Sequence, residues 1–512
     1  MIAILQDETL KPFEQDVREL LMAFFPGEPF CFTKSDTAFL VLHAERDAFI
    51  AELAHAGREA DAKNDADARE WKEALFLNGD RRHDKSEAKR ALYRLLCKLT
   101  GQTLPWGTLT GIRPVKLAEQ LLDAGNSVEQ TRERLQDFYM VSQEKTNLIL
   151  DIAHREAEVL SRIPYRQGFS LYIGIPFCPT TCMYCSFTSY PIEKWADQVD
   201  AYLDCLKREL AQLAGQQEHG FLRGKQLQTV YVGGGTPTAL SAEQLDRLLD
   251  IMEAELDLSF VSELTVESGR PDSITPEKLS VMRRHGVERI SINPQTMNQK
   301  TLDLIGRRHK VEETVHAFWM ARRAGFDNIN MDIIMGLPRE TADDVQYTLS
   351  ELLKLRPDSL TVHALAVKRA ARLNTEGNAW SHLPRADREE AVRMMDLGAE
   401  AAAQMGLHPY YLYRQKNMAG NQENIGYAAA HKENLYNILM MEELHTVVGC
   451  GAGSSTKAVI ENADPEEYGG NRFRVERFEN IKNIAQYLPR IDELLEKRQR
   501  FFDQLAGNMR QG

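Results

Sequence analysis

Three cysteines lie within eight residues of the chain, at Cys178, Cys182 and Cys185. Thiolates spaced this closely on one loop can surround a metal centre. A structural zinc ion prefers four ligands in a two-plus-two arrangement. Three thiolates instead suit an iron–sulfur cluster that keeps one iron open to a substrate, whereas clusters with four cysteine ligands mainly transfer electrons. The alternative is three buried structural thiols, but this loop carries Pro, Thr and Ser rather than a core pattern.

The cysteine loop follows the first of several short β-rich runs that alternate with helical patterns. The predicted strands are 171–175, 229–232, 263–266, 289–292, 328–334 and 359–362, and the predicted helices between them are 198–213, 242–255, 276–285, 311–324 and 342–355. Six strands with five helical crossovers predict an α/β fold with a parallel sheet. Right-handed crossovers would produce an open, partial (β/α)6 TIM-like barrel, and a doubly wound sheet is the alternative. In both cases the chemistry lies at the carboxyl ends of the strands.

Polar residues and glycines recur at these strand ends. A glycine-rich loop over residues 233–238 follows the second strand, Glu267 ends the third, Gln295 follows the fourth and Asp332 lies on the fifth. Glycines allow a ligand to approach the backbone closely. A tight turn or a surface position would explain each feature alone. Together they predict a ligand site at one edge of the sheet.

The chain of 512 residues is long enough for about three domains of roughly 150 residues each. We expect an N-terminal α+β accessory domain over 1–165, the barrel over 166–370 and a mainly helical C-terminal domain over 371–512. Within the first block, the charged, alanine-rich stretch 47–75 predicts a helix. This block either shields the downstream site or binds substrate directly.

Composition and charge exclude several classes of protein. With 43% hydrophobic and 27% charged residues, the chain is neither disordered nor a coiled coil. Its formal net charge of −13 predicts no nucleic-acid partner. Seven cysteines are an odd number and too few for a disulfide scaffold. The start of the chain has no basic region of a signal peptide and no apolar run is long enough to span a membrane, so a cytoplasmic location is expected.

The cysteine triplet resembles the signature of the radical S-adenosylmethionine (SAM) enzymes, in which an aromatic residue, here Tyr184, precedes the last cysteine. The resemblance implies that the three thiolates hold a 4Fe-4S cluster, whose open iron chelates the amino and carboxylate groups of SAM. One electron, from a donor such as flavodoxin or ferredoxin, then cleaves SAM into methionine and a 5′-deoxyadenosyl radical. The implied SAM contacts are Tyr172, Gly234, Gly235, Thr236, Glu267, Gln295, Arg307, Asp332 and Ala366.

Within this superfamily, the motifs YIGIPFC, GGGTPT, INPQT and DIIMGLP resemble the oxygen-independent coproporphyrinogen III oxidase group. The flanking sequences PWGTLTGIRPVK and VVGCGAGSSTK resemble its HemZ-type branch. The resemblance implies oxidative decarboxylation of coproporphyrinogen III to protoporphyrinogen IX in heme biosynthesis. Alternatives are a HemW-like heme-binding chaperone, or another radical reaction on a tetrapyrrole such as methyl transfer with ring opening.

Two positions depart from the oxidase pattern. Gly174 stands where the oxidases carry a histidine, and Phe187 stands where they carry a fourth cysteine. Since that cysteine is not an iron ligand, the cluster is expected to survive. In the oxidases both positions lie near the reacting centre, so the resemblance assigns no catalytic residue to this chain.

Several other residues have both a functional and a structural explanation. Arg113 and Lys116 could bind carboxylates of a substrate, and the alternative is that they are helix-start or surface charges. His363 could lie at the barrel mouth, and the C-terminal cap could be lined by Tyr411, Tyr413 and Arg414. The alternative for these four residues is a role in packing. A heme chaperone could use His431 or His445 as an iron ligand, and Cys450 is expected to be an inert thiol.

Overall fold

The computed structural model describes residues 2–511 except 7, 26–27, 29, 34–39, 46–47, 54–71, 77, 79, 112, 367–385, 415–421 and 463–472. The chain divides into two compact units. The first comprises residues 1–153 with 414–417, and the second comprises 154–413 with 418–512. The division falls inside one helix, and the expected domain boundary at 370 lies outside the described residues.

The first unit contains a five-stranded sheet in the order β2-β1-β3-β4-β5. Its strands are β1 (Ile2–Gln6), β2 (Phe30–Thr33), β3 (Leu40–Glu45), β4 (Ala48–Leu53) and β5 (Lys72–Phe76). Its helices are α1 (Glu14–Phe24), α2 (Arg81–Thr100), α3 (Pro114–Asp123), α4 (Val128–Glu133) and α5 (Gln143–Leu160), the last of which continues into the second unit. Apolar faces of α1 and α2 supply most of the core of this unit.

The helix predicted over 47–75 is wrong where the chain is described. Residues at both ends of this stretch form β4 and β5, which pair antiparallel. Ala51 of β4 is buried in the core of this unit. Helix propensity is a weak local preference, and strand pairing outweighs it here.

The second unit is built on an eleven-stranded sheet of described residues in the order β14-β15-β13-β12-β11-β10-β9-β6-β16-β17-β18. All six predicted strands are present, as β6 (Gly168–Ile175), β9 (Gln226–Gly234), β10 (Glu263–Glu267), β11 (Arg289–Ser291), β12 (Ile329–Met335) and β13 (Ser359–Ala364). They are parallel and adjacent in sequence order. A doubly wound sheet would reverse its order at a switch point, so this order confirms the partial barrel.

The five predicted connecting helices are present as α6 (Val199–His219), α7 (Ala242–Glu255), α8 (Pro276–Arg284), α10 (Val311–Arg323) and α11 (Ala342–Leu355). A further short helix, α9 (Gln299–Leu304), was not predicted. Sequence signals explain the starts of α7 and α11: Ser241 with Gln244 and Thr341 with Asp344 form capping boxes. Each satisfies two backbone N–H groups that the helix leaves unpaired.

The C-terminal segment adds strands as well as helices. Its helices are α12 (Arg388–Gln404), α13 (Leu435–Met441), α14 (Ile484–Tyr487) and α15 (Ile491–Gln511). Its strands β14 (His408–Tyr413), β15 (Asn424–Ala428), β16 (Thr446–Cys450), β17 (Ser455–Glu461) and β18 (Phe473–Glu479) extend the barrel sheet at both edges. Only β16 was indicated by the sequence pattern. Among the helices that the structure describes, none is long and apolar enough to cross a membrane.

A buried ion pair joins the last helix to the barrel. Arg498 on α15 and Glu209 on α6 are both fully buried, with 2.5 Å between Nη1 and Oε2. The same carboxylate accepts hydrogen bonds from the Gly451 amide, the Asn480 amide group and the Tyr487 hydroxyl. A buried charge pair is tolerated only when its remaining hydrogen-bonding capacity is filled, as it is here. The pair therefore anchors the glycine-rich turn that follows β16.

Candidate functional site

The three clustered cysteines lie on the loop that leaves the carboxyl end of β6. A two-residue strand, β7 (Phe177–Cys178), pairs with β8 (Tyr190–Pro191) and closes this loop at its base. All three thiols are free. Burial raises the pKa of Cys178 to about 12, although the Thr236 hydroxyl 3.5 Å away lowers it. A thiolate at this position therefore needs a nearby positive charge, such as the iron of a cluster, to compensate for its desolvation.

Two buried arginines support the cysteine loop. Arg270 donates to the carbonyl and hydroxyl of Thr180, lies 3.8 Å from Cys182 Sγ and pairs with Asp272. Arg307 donates to the Tyr184 hydroxyl at 3.1 Å and to a backbone carbonyl after β10. Arg270 was not identified from the sequence, because an arginine in the loop segment SGRPD carries no signal of a cysteine partner. Both guanidinium groups favour the ionised thiolate form of the cysteines on this loop over the neutral thiol.

The glycine-rich loop after β9 packs directly on the cysteine loop. A Cβ atom at Gly235 would lie 2.5 Å from Phe177 O and 3.0 Å from Cys178 Sγ. Gly234 has a φ of +110°, which other residues rarely adopt. The amides of Gly235 and Thr236 donate to carbonyls of Ile175 and Phe177. Glycine is therefore required here for close approach of two backbone segments at the site.

Glu267 faces the glycine loop from the end of β10. Its carboxylate accepts a 2.5 Å hydrogen bond from the Tyr231 hydroxyl. Burial is the largest influence and raises the pKa of Glu267 to about 7, while Tyr231 and the Gly234 amide oppose it. A Cβ atom at Gly233 would lie 3.1 Å from this carboxylate. Glu267 therefore lies beside the glycine loop, so two of the predicted SAM-binding elements are adjacent.

Three stacked tyrosines lie beside Glu267. The rings of Tyr231 and Tyr436 are 4.7 Å apart, and Tyr172 stacks on both at just over 6 Å. Tyr172 is on β6 and Tyr231 is on the neighbouring β9, in register with it. The predicted SAM contact Tyr172 thus belongs to an aromatic layer inside the barrel, which Tyr436 from α13 completes.

Polar atoms without partners lie at the end of β11. Gln295 Oε1, Asn293 Oδ1 and Ser291 Oγ are buried and accept no hydrogen bond from the described residues. Gln295 also has a φ of +66°, although it is not glycine. Unsatisfied buried acceptors are costly, and they and strained backbone concentrate where a ligand supplies the missing interactions. Gln295 was predicted as a ligand contact, whereas Asn293 and Ser291 were not.

The next two strands bring together a second polar group. His363 on β13 lies 3.7 Å from Asp332 on β12 and 3.5 Å from the Tyr413 hydroxyl. Asn330 donates to the other oxygen of Asp332 at 2.6 Å. Despite burial, these hydrogen bonds and the nearby imidazole keep the pKa of Asp332 below its usual range. Ala366 follows β13 at the same edge and is half-buried.

Other candidates lie away from the cysteine loop. His445 precedes β16, at the amino ends of the parallel strands, and both its ring nitrogens are hydrogen-bonded, to Ser170 and Tyr165 O. His431 is exposed in a left-handed turn. The amide of Ala429, two residues earlier, donates to the carbonyl of Asp358 just before β13, so His431 also lies near the amino ends of the parallel strands.

Three further candidates belong to the first unit. Arg414 stacks over Trp106 and donates to Leu109 O, so it has a packing role there. Arg113 is the N-cap residue of α3, which has Pro114 at its first turn, and Lys116 lies inside that helix. The role of Arg113 and Lys116 as partners of substrate carboxylates stays a prediction.

The glycine-rich turn after β16 is a site element that sequence reasoning missed. Gly451 has a φ of +95°, and a Cβ atom there would lie 2.4 Å from Gly174 O. A Cβ at Gly453 would lie 2.7 Å from the Thr188 hydroxyl, on the cysteine loop. The signal was the alternation of glycines directly after a strand. This turn therefore forms one wall of the site.

The geometry fits the cofactors that the resemblance implies. Three free thiols, two arginines beside them and a backbone loop of glycines occupy one edge of the barrel, together with buried acceptors that lack partners among the described residues. Thiolates are the ligands of iron–sulfur clusters, and unpaired acceptors suit the hydroxyl and amino groups of a nucleoside.

Comparison with known proteins supports the same assignment. The model of the Radical SAM superfamily matches residues 172–352. The "oxygen-independent coproporphyrinogen-III oxidase-like protein HemZ" of Bacillus subtilis is 40% identical over 414 residues, which are 80% of this chain and 79% of that protein. The heme chaperone HemW of B. subtilis is 35% identical over 246 residues, 47% of this chain and 62% of that protein.

A solved structure shows the same fold. The coproporphyrinogen III oxidase HemN of Escherichia coli, described as a radical SAM enzyme, matches with a TM-score of 0.50 at 22% identity. The match covers 67% of this chain and 72% of HemN. Because the alignment with HemZ also extends far beyond the barrel, the chain belongs to the HemZ family of the radical SAM superfamily, which uses a 4Fe-4S cluster and SAM.

Proposed function

We propose that this chain is an oxygen-independent coproporphyrinogen III dehydrogenase. The reaction would convert two propionate side chains of coproporphyrinogen III into vinyl groups, with loss of two molecules of CO2, and yield protoporphyrinogen IX. For each propionate, the 5′-deoxyadenosyl radical would take one hydrogen atom and a separate one-electron acceptor would take the electron released with CO2. The observation that carries the proposal is the extent of similarity to HemZ, over 80% of the chain, whereas the HemW match covers 47%. The flanking segments therefore favour the oxidase-like branch.

Each part of the site has a role in this proposal. Cys178, Cys182 and Cys185 would hold the cluster, and the glycine loop with Glu267 would hold SAM. When bound together, the cluster and SAM supply a 5′-deoxyadenosyl radical, which removes hydrogen from an unactivated carbon. The stacked tyrosines close the barrel interior beside Glu267 and would exclude water from the reacting centre.

The further predicted contacts would orient the nucleoside. Gln295 offers a buried side-chain acceptor without a partner among the described residues. Arg307 is held by Tyr184 at the cysteine loop, so it would couple the cofactor to that loop. Asp332, which His363 and Asn330 keep ionised, would accept a hydrogen bond at the end of β12.

A heme chaperone is the second candidate, because HemW is 35% identical over 246 residues. It would require an accessible iron ligand. Both ring nitrogens of His445 are engaged, and burial lowers its pKa to about 4. His431 is exposed but lies at the opposite edge of the strands from the cysteine loop. These placements favour the enzyme.

Anaerobic incubation of cluster-reconstituted protein with dithionite, SAM and coproporphyrinogen III tests the proposal. We expect 5′-deoxyadenosine together with monovinyl and divinyl products, measured by chromatography and mass spectrometry. Formation of 5′-deoxyadenosine without vinyl product would exclude the dehydrogenase and retain radical chemistry. Methylated or linear products would indicate another tetrapyrrole reaction. A stoichiometric Soret change with heme that H431A abolishes would instead support a chaperone.

The raised pKa of Glu267 predicts a pH-dependent affinity for SAM. A carboxylate accepts hydrogen bonds from ribose hydroxyls more strongly when it is ionised. We therefore expect the affinity of cluster-loaded protein for SAM to fall as the pH drops below about 7, the pKa of Glu267. E267Q should bind SAM about tenfold more weakly at pH 8 and lose this pH dependence.

Equilibrium dialysis of SAM between pH 6 and pH 8.5 measures both effects. E243Q, on the exposed start of α7, is a matched control and should behave as the unchanged protein. Equal affinities of E267Q and the unchanged protein at pH 8 would remove Glu267 from the cofactor site.

A further inference from the structure

A small cavity lies between the cysteine loop and the glycine-rich turn after β16. Its volume is about 180 Å³, and its walls include Gly174 on β6, Phe187 on the cysteine loop, Gly234 and Ser454. Sites for whole drug-sized ligands occupy roughly 300–1,000 Å³. The cavity can therefore receive one arm of a larger molecule, but not a tetrapyrrole ring.

Among the described residues that line this cavity, the charged side chain is a lysine. Lys482 lies in its wall and is exposed, and no carboxylate is among the described residues that line it. The remaining polar lining consists of hydroxyl groups, from residues such as Thr188 and Ser454. Neither a hydrogen bond nor an ion pair of the Lys482 ammonium occurs within the part of the chain that the structure describes. A cation without an anion in a cavity favours an anionic ligand.

The backbone that carries Lys482 is held in place. Its neighbour Asn480 donates to the buried Glu209 and to Gly451 O, both at 2.9 Å. The Gly453 amide donates to Ile481 O, and the Tyr190 hydroxyl donates to Lys482 O. The ammonium is therefore presented from an anchored segment, which lowers the entropic cost of binding.

The cavity adjoins the predicted SAM site. Tyr172 and Gly234, two of the expected SAM contacts, are part of its wall. The cavity also includes both departures from the oxidase pattern, Gly174 and Phe187. A Cβ atom at Gly174 would lie 3.5 Å from Cys450 O and from the Tyr172 ring, which is ordinary van der Waals contact without a clash, at the position where the oxidases carry a histidine.

We propose that Lys482 binds a carboxylate of the substrate in this cavity and so directs one acidic side chain toward the SAM site. The inference rests on the proposed function, because it assigns the recognition of a propionate of coproporphyrinogen III. The ammonium and the carboxylate form a charge-assisted hydrogen bond, which is stronger than a neutral one. Lys482 is thus a substrate-positioning residue supplied by the C-terminal segment, outside the barrel.

Binding of coproporphyrin III to the cluster-loaded protein, followed by absorbance, tests this inference without turnover. K482M keeps the length of the side chain and removes the charge. We expect its dissociation constant for coproporphyrin III to rise about tenfold or more, while K482R stays within about threefold of the unchanged protein. The neutral tetraamide of coproporphyrin should bind the unchanged protein and K482M equally. K497M, on an exposed lysine of α15, is the control for general electrostatics and should have no effect.

Each alternative outcome is decisive. Unchanged binding of coproporphyrin III by K482M would overturn the inference, and so would a matching loss of SAM affinity, which would place Lys482 in the cofactor site. Absence of any porphyrin binding by the unchanged protein would also overturn it. If the unchanged protein forms no vinyl product but K482M still loses affinity for the tetraacid alone, the proposed reaction fails and the carboxylate site stands.

Discussion

Replacing Cys182 with alanine is expected to abolish the iron–sulfur chromophore and the cleavage of SAM. Cys182 is one of three thiols on a single loop, and Arg270 lies 3.8 Å from its sulfur. With two ligands left, the loop cannot hold a cluster that needs three protein thiolates and one open iron. Iron and sulfide should fall from about four per chain to near zero, and 5′-deoxyadenosine formation should drop by more than about a thousandfold.

Iron and sulfide assays, the visible absorbance and electron paramagnetic resonance of the reduced protein measure this effect. C205A is the matched control, because Cys205 is buried on α6 and away from the loop. It should retain full iron and cofactor cleavage. Full iron and sulfide in C182A would contradict the assignment of the cluster ligands. Circular dichroism of both variants shows whether they are folded. Loss of the cluster from a folded C182A is the result that identifies Cys182 as a ligand.

Replacing Arg498 with alanine is expected to cost about 3–5 kcal/mol of the free energy of unfolding. The guanidinium and the Glu209 carboxylate are fully buried, and the pair also binds the Tyr487 hydroxyl and the Gly451 amide. Removal of the cation leaves a buried carboxylate without compensation. Since Glu209 also anchors the glycine-rich turn, the variant should lose its cluster more readily on warming.

Urea denaturation under anaerobic conditions measures the change. The double variant E209Q/R498M removes both charges and should recover part of the loss, because a neutral pair carries no such penalty. R490A is the control. Arg490 lies just before α15 and forms an exposed ion pair with Glu493 on that helix, and exposed pairs contribute little to stability. A change for R498A no larger than that for R490A would show that the buried pair does not stabilise the fold.

Local patterns predicted much of the barrel. Alternating apolar runs and helical periodicity located the six parallel strands and their crossover helices, because each pattern reflects burial of one face in a regular element. The helix predicted over 47–75 failed at its described ends, Ala48–Leu53 and Lys72–Phe76, which form strands because tertiary pairing outweighs helix propensity. Prediction also missed β14, β15, β17 and β18, which extend the sheet beyond the parallel strands on both sides.

The sequence alone predicted the cysteine loop, the glycine loop and Glu267 as parts of one site, since their residue types and order along the chain carry chemistry. The pairing of Arg270 with Cys182, the unpaired acceptors around Gln295 and the position of Lys482 depend on tertiary structure. Arg270 lies 88 positions from Cys182 along the chain. Lys482 reaches the site only because Glu209 and Asn480 anchor its segment across the fold. Contacts between residues so distant in sequence follow from packing of the whole core, which no local pattern contains.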